Sequence, residues 1–190
     1  MVAAPQKIRL SYAEYLELER QTDTRHEFFD GEAWAMSGGT IRHSAIKTNL
    51  TVALAAALGK GPCRAYDSDL KVRVLATGLA TYPDLTIVCG PVERHPEDRN
   101  ALSNPSTVIE VLSKGTEGWD RGGKFMHMQQ VPSLRYYLLV NVDDRRVELF
   151  TRGEGAWSYT VHGPGERVPL SDLGVSLEVD ALYLDLPEEE

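Results

Sequence analysis

Apolar residues recur along this chain with two different spacings, and each spacing predicts one kind of element. Over residues 11–20 and 40–58 they recur every three to four positions, which is the spacing of a helix face. The first segment opens with Ser11 and Glu14, the pattern of a capping box, and the second stops at Gly59. A third helix is expected over residues 119–130.

Shorter apolar runs, alternating with polar residues or uninterrupted, predict strands. Residues 26–36 have the pattern of a β-hairpin, with Asp30-Gly31 as the signal of a type I′ turn. Further strands are expected at residues 64–66, 70–75, 85–89, 107–112, 134–140 and 147–152. The polar, proline-bearing stretch at residues 90–105 is predicted to be a loop.

The order of these elements predicts an α/β fold, in which a mixed β-sheet is flanked by helices and followed by a β-rich C-terminal part. The strand at 107–112, the helix at 119–130 and the strand at 134–140 are expected to form a right-handed crossover. No internal repeat or linker divides the chain. All 190 residues are therefore expected to form one domain, with its core at about 11–152 and an acidic tail at 187–190.

Composition narrows the class of protein without identifying a function. Apolar residues make up 42% of the chain and charged residues 25%, as in ordinary globular proteins. The apolar runs are too short to span a bilayer, and residues 1–10 lack the apolar segment of a secretory signal, so a cytoplasmic location is expected. Cys63 and Cys89 have no metal-binding spacing and are expected to be free, buried thiols in a reducing compartment.

The formal net charge of −8 bears on the kind of partner. Proteins that grip nucleic acid usually present a basic surface, because neutralising phosphates supplies most of the non-specific affinity. Three explanations stay open for this acidic chain: locally clustered basic residues, affinity that depends on dimerisation and a metal, or a substrate other than duplex DNA. Edge strands in the C-terminal part would need covering, which is one route to a homodimer.

Two carboxylates and a lysine in the middle of the chain have the composition of a metal-dependent hydrolytic site. Asp84 stands at the start of one apolar strand, and Glu110 lies inside another, on the same face as Val108 and Leu112. A carboxylate in such surroundings is costly unless a cation offsets its charge. Mg²⁺ typically binds one or two carboxylates together with water and phosphate. Lys124, on the following helix, could orient the attacking water or offset charge on the leaving oxygen.

The motifs in this region, taken in order, resemble a known family. They are Tyr82-Pro83-Asp84, Ile109-Glu110-Val111-Leu112-Ser113 and Asp120-Arg121-Gly122-Gly123-Lys124, followed by Val131-Pro132 and Tyr136-Tyr137-Leu138-Leu139-Val140. Upstream, His26-Glu27-Phe28-Phe29-Asp30-Gly31-Glu32 and His43 fit the same pattern. Together they resemble the Uma-two family of restriction-endonuclease-like proteins, in the PD-(D/E)XK nuclease superfamily, over about residues 11–150.

The resemblance implies a restriction-endonuclease-like fold and a Mg²⁺- or Mn²⁺-dependent endonuclease that acts on DNA. Asp84 would be the central metal ligand, Glu110 the second ligand and the Val111 carbonyl a third, while Glu27 would complete the acidic cluster. Lys124 would be the catalytic lysine. It departs from the superfamily pattern, in which the lysine stands two residues after the glutamate, where this chain has Leu112.

Other interpretations of the same residues stay open. Lys114 has the strand parity of a catalytic lysine but follows the expected strand end. Glu110 could form a buried salt bridge with Arg121 or Lys124, and Glu27 could be an ordinary hairpin residue. For the whole chain, the alternatives are a nucleic-acid or protein binding module that keeps the fold without catalysis, and a hydrolase of another phosphorylated substrate.

Overall fold

The computed structural model of the protein describes residues 6–36 and 38–187. Apart from Pro187, the predicted acidic tail lies outside the described residues. The helices, in chain order, are α1 (Tyr12–Gln21), α2 (Ile41–Leu58), α3 (three contiguous parts, Glu117–Trp119, Asp120–Lys124 and Phe125–Met128) and α4 (Val179–Leu182). The middle part of α3 is a π-helical turn.

The two long helices begin where the sequence predicts. At α1, the Ser11 hydroxyl accepts the Glu14 N–H while the Glu14 carboxylate accepts the Ser11 N–H, which completes the capping box. At α2, the Thr40 hydroxyl accepts the His43 N–H at 3.1 Å, and the helix ends at Gly59. These caps fix the residues at which α1 and α2 begin.

Two larger sheets and one small sheet contain the strands of the described residues. In chain order the strands are β1 (Lys7–Arg9), β2 (His26–Phe29), β3 (Glu32–Ala35), β4 (Cys63–Asp67), β5 (Lys71–Val74), β6 (Leu79–Thr81), β7 (Leu85–Cys89), β8 (Arg94–His95), β9 (Asp98–Leu102), β10 (Thr107–Val111), β11 (Tyr136–Val140), β12 (Val147–Arg152), β13 (Trp157–His162), β14 (Arg167–Leu170) and β15 (Val175–Glu178). The first sheet has the order β1-β3-β2-β6-β5-β9-β8, the second β13-β12-β11-β10-β7-β4, and the third pairs β14 with β15. The predicted mixed α/β fold is confirmed.

Strand β10 organises the second sheet around Glu110. It pairs in parallel with β11 on one side and antiparallel with β7 on the other. The parallel pairing predicted for a crossover through α3 is therefore present. Because Ile109 pairs with Leu85, the next residues along the two strands, Glu110 and Asp84, are brought side by side.

Two local predictions have opposite outcomes. The hairpin of β2 and β3 turns at Asp30 and Gly31, whose φ angles of 49° and 75° are those of a type I′ turn. The prediction of a loop at 90–105 is wrong in part, because β8 and β9 lie there and β9 pairs in parallel with β5. Short polar strands near a sheet edge lack the apolar alternation by which strands are recognised.

The prediction of free cysteines is wrong. Cys63 and Cys89 form a disulfide between β4 and β7, at directly opposed positions of an antiparallel pair. The two residues are separated by 26 positions in the sequence, so only the pairing of the two strands brings them together.

The two faces of the second sheet support separate cores. Helix α2 packs Ile46, Leu50 and Leu54 on one face, and this core also takes up buried residues of β14, β15 and α4. Helix α3 packs Phe125 and Met128 on the other, against the face that carries Glu110. Among the helices of the described residues, none is long and apolar enough to cross a membrane.

Candidate active site

Asp84 and Glu110 are joined by two reciprocal hydrogen bonds between strands. The Asp84 N–H donates to Glu110 Oε2 at 3.3 Å, and the Val111 N–H donates to Asp84 Oδ2 at 2.9 Å. Each carboxylate is thus held by the backbone of the strand that carries the other. The side chain of Asp84 is 16% exposed, whereas Glu110 is buried.

The ammonium of Lys124 is surrounded by three carboxylates, one of which is that of Glu110, and this arrangement is called the ion-pair cage below. Its Nζ is 3.1 Å from Glu110 Oε1, 3.0 Å from Glu27 Oε1 and 2.9 Å from Asp120 Oδ1, and its side chain is 5% exposed. The contact to Asp120 is an ion pair without hydrogen-bond alignment. The salt bridge between Glu110 and Lys124 that the sequence left open is present, and Lys124 lies at the site as the resemblance implied.

Glu27 is buried at the centre of the site, where an ordinary hairpin residue would be exposed. Its Oε1 accepts a hydrogen bond from the hydroxyl of Thr81, on the neighbouring strand β6, and its Oε2 accepts one from Trp119 Nε1 at 2.9 Å. With Lys124, three side chains from two elements, β6 and α3, hold this carboxylate. Glu27, on strand β2 of the first sheet, therefore faces α3 and belongs to the cluster of carboxylates around Lys124.

The π-helical turn of α3 places the side chains of Asp120 and Lys124 on the same side of the helix. Trp119 lies across the backbone at Gly123, where any Cβ would overlap the indole ring. The Tyr137 hydroxyl donates to the Asp120 carbonyl at 2.8 Å and ties this turn to β11. The structure buries the Asp120 carboxylate against Lys124.

Helix α2 closes the other side of Asp84. His43 Nε2 lies 3.2 Å from Asp84 Oδ2, and Lys47 Nζ lies 3.1 Å from Asp84 Oδ1. The family resemblance in the sequence includes His43 but not Lys47. Their spacing of four residues, which places both on one helix face, is the signal that could have found them.

Comparisons with known proteins bear on the site's identity. The sequence matches the Uma2 family, described as "Putative restriction endonuclease", over residues 12–182. The chain belongs to the Uma2 family. Two uncharacterized proteins of Synechocystis sp. are 36% and 31% identical to it, over 94% and 84% of this chain and 93% and 90% of their own lengths.

A solved structure shares the Uma2 fold of this chain. It is the crystal structure of a "putative nuclease belonging to DUF820" from Anabaena variabilis, with a TM-score of 0.70 and 18% sequence identity. The similarity covers 85% of this chain and 91% of that one. At this identity the likeness concerns the fold.

The candidate site places three buried carboxylates around one buried ammonium group. Burial raises the pKa of Glu110 well above its usual value, and Asp120, Asp84 and Glu27 raise it further against the opposing effect of Lys124. Burial acts to lower the pKa of Lys124, but the three carboxylates outweigh it and raise that pKa. The neighbouring carboxylates contribute to both shifts, since three of them surround one ammonium.

The pKa of Asp84 shifts in the opposite direction to that of Glu110. Burial acts to raise its pKa, but His43, Lys47 and the Val111 N–H together lower it below its usual value. These contacts therefore favour the ionised form of Asp84. An ionised, partly exposed carboxylate beside a second, buried one is the donor chemistry that a hard divalent cation requires.

The fit of a divalent cation rests on these donors. Within residues 6–36 and 38–187, no three His, Cys, Asp or Glu side chains converge closely enough to hold a metal by themselves. Asp84 and Glu110 nevertheless meet the need of Mg²⁺ for one or two carboxylates with water and phosphate completing its coordination. The three carboxylates around the single ammonium of Lys124 leave unbalanced negative charge next to this pair, which favours an added cation.

Proposed function

We propose that this protein is a divalent-metal-dependent endonuclease that hydrolyses phosphodiester bonds in DNA. The observation that carries the proposal is the pairing of Asp84 and Glu110 on adjacent strands, above a buried cluster with more carboxylates than ammonium groups. Membership of the Uma2 family supports the same conclusion.

Each residue of the site has a distinct part in the proposal. Asp84 and Glu110 hold Mg²⁺ or Mn²⁺, with the Val111 carbonyl as a third ligand, and Glu27 supports the cluster through Lys124. The cation would supply Lewis-acid stabilisation of the charge that develops on the phosphate oxygens. Lys124 keeps Glu110 and Glu27 in place and offsets their charge, and in this way it assists the reaction.

The proposal is tested by cleavage of supercoiled plasmid, single-stranded circular DNA and branched DNA in Mg²⁺ or Mn²⁺. Asp84→Asn and Glu110→Gln should each reduce the rate by about 100-fold or more, since both remove charge from the metal site. Glu154→Gln, which removes an exposed carboxylate, is the matched control and should cleave like the wild type. A wild type inactive on all three substrates, or an active Asp84→Asn variant, would contradict the proposal.

A second candidate is a module that binds nucleic acid or protein without catalysis. The enclosure of Lys124 and the lack of three converging ligand side chains in the described part of the chain favour it. Calorimetric titration with Mn²⁺ separates the two candidates. Binding that is lost in Asp84→Asn supports the nuclease, and absence of binding to the wild type supports the module.

A further inference from the structure

The ammonium group of Lys124 is not free to contact a substrate. Its three ion-pair partners surround it at 2.9 to 3.1 Å, and its side chain is almost wholly buried. Breaking one of these contacts would leave a buried carboxylate without its counter-charge, which is costly. A phosphate that reaches Asp84 must therefore find its positive partner elsewhere.

Lys47 is the ammonium group on the open side of Asp84. Its side chain is 24% exposed, and Nζ contacts Asp84 Oδ1 at 3.1 Å and the Ser68 hydroxyl at 3.0 Å. A cavity of about 130 Å³ opens nearby, between the start of α2 and the ends of β10 and β11, and is lined by Thr40, His43 and Lys114 among others. Neither Asp84 nor Lys47 lines this cavity, but His43, which contacts Asp84, does, and the partly exposed Lys47 is an ammonium group beside Asp84 that solvent reaches.

We propose that Lys47 is an exchangeable counter-ion, which neutralises Asp84 in the metal-free protein and binds a phosphate of the nucleic acid once Asp84 holds a divalent cation. This inference rests on the proposed function and names a second phosphate-binding residue for it. A lysine suits the exchange, because its ammonium is a point charge on a flexible stem and needs no fixed partner geometry.

The competition follows from the position of the ammonium. Lys47 Nζ occupies one face of Asp84 Oδ1, an oxygen that the proposed cation would share. Two cations at the same oxygen repel each other, so a cation that enters weakens the hold of Asp84 on Lys47. Substrate phosphate brings negative charge to the same place and becomes the stronger partner of the released ammonium.

Two binding measurements on Lys47→Met test the exchange without relying on cleavage. Mn²⁺ affinity, measured by calorimetry in the absence of DNA, should rise about tenfold because a competing positive charge is gone. Affinity for a short fluorescein-labelled DNA, measured by anisotropy in Ca²⁺ and again in Mn²⁺ with a non-hydrolysable phosphorothioate strand, should fall about three- to tenfold. The slope of log affinity against log salt should decrease in magnitude by about 1.

Matched variants separate the local effect from the change in net charge. Lys60 is exposed and lies beyond Leu58, the end of α2, which is itself roughly 16 Å along the helix from Lys47. Lys60→Met removes the same charge and should change neither Mn²⁺ affinity nor the salt slope by a comparable amount. Lys47→Arg keeps the charge and should retain the wild-type salt slope. Thermal melts of each variant confirm that it is folded.

If Lys47 is an exchangeable counter-ion, Lys47→Met raises the affinity for Mn²⁺ and lowers the affinity for DNA. If Lys47 only positions Asp84, the two affinities do not change in opposite directions. If Lys47→Met weakens both Mn²⁺ and DNA binding, Lys47 only positions Asp84 and the inference is overturned. It is also overturned if Lys47→Met behaves like Lys60→Met. In either case a wild type that cleaves DNA leaves the proposed function standing, whereas a wild type that binds neither Mn²⁺ nor DNA removes both.

Discussion

Replacement of Gly123 by alanine is the sharpest structural test of how α3 supports the site. The new Cβ would overlap the six-membered ring of Trp119, so the indole has to move. That movement breaks the 2.9 Å hydrogen bond from Trp119 Nε1 to Glu27 Oε2. The change therefore acts on Glu27 indirectly, through Trp119.

The magnitude follows from three contributions. Overpacking costs about 1 to 3 kcal/mol, and loss of a hydrogen bond to a charged group costs about 1.5 to 3 kcal/mol. The helix propensity of alanine over glycine returns about 1 kcal/mol. The expected loss in the free energy of unfolding is thus about 1.5 to 5 kcal/mol.

The neighbouring glycine provides the control. A Cβ at Gly122 meets nothing within 4 Å, so Gly122→Ala should be neutral or stabilise the protein by up to about 1 kcal/mol. Urea denaturation followed by circular dichroism gives both values, and tryptophan emission reports the displacement of Trp119. Equal stability of the two variants, with unchanged emission, would contradict the close packing of Trp119 against Gly123.

Three further predictions concern charge and covalent connectivity. Lys124→Met leaves three buried carboxylates without their ammonium and should cost about 3 to 5 kcal/mol in urea denaturation; unchanged stability would contradict the ion-pair cage. Cys89→Ser opens a link between residues 26 positions apart and should cost about 3.5 kcal/mol on the chain-entropy account, with the same loss when the wild type is reduced; identical melts with and without reductant would contradict the disulfide. Glu148 is buried, which acts to raise its pKa, but hydrogen bonds from Arg121 and Tyr159 lower the pKa below its usual value. Its stabilising effect is therefore present above the unfolded pKa of about 4.3 and lost as pH falls through the lower folded pKa. Glu148→Gln should then be less stable than the wild type at neutral pH, and the gap should close in acid; a gap independent of pH would contradict this assignment.

Asp84 and Glu110 form the part of the site that strand periodicity in the sequence predicts. Glu110 is recognisable because apolar neighbours surround a carboxylate on a face that must be buried, and Asp84 because it opens a similar run. The structure places both residues where the pattern indicates. Neither inference needs knowledge of how distant segments pack.

Lys47 and Asp120 show where such reasoning stops. Each lies on a helix, and a polar residue on a helix is normally a solvated one. The spacing of His43 and Lys47 shows that they share a face of α2, but that this face turns toward Asp84, and that Asp120 turns toward Lys124, depends on tertiary packing and on the π-helical turn. The strands β8 and β9 escape sequence-based prediction for a related reason, since the pairing of β9 with β5 and of β8 with β9 outweighs their polar composition.

The disulfide has a consequence for the fidelity of the sheet. Strands β4 and β7 pair from Cys63 opposite Cys89 at one end to Asp67 opposite Leu85 at the other, next to Asp84. A slip of one residue in this ladder would turn every side chain of β7 to the opposite face and present a leucine where the carboxylate belongs. Only the correct alignment sets the two cysteines directly opposite each other, so bond formation at one end of the ladder selects chains in which the other end is correctly assembled.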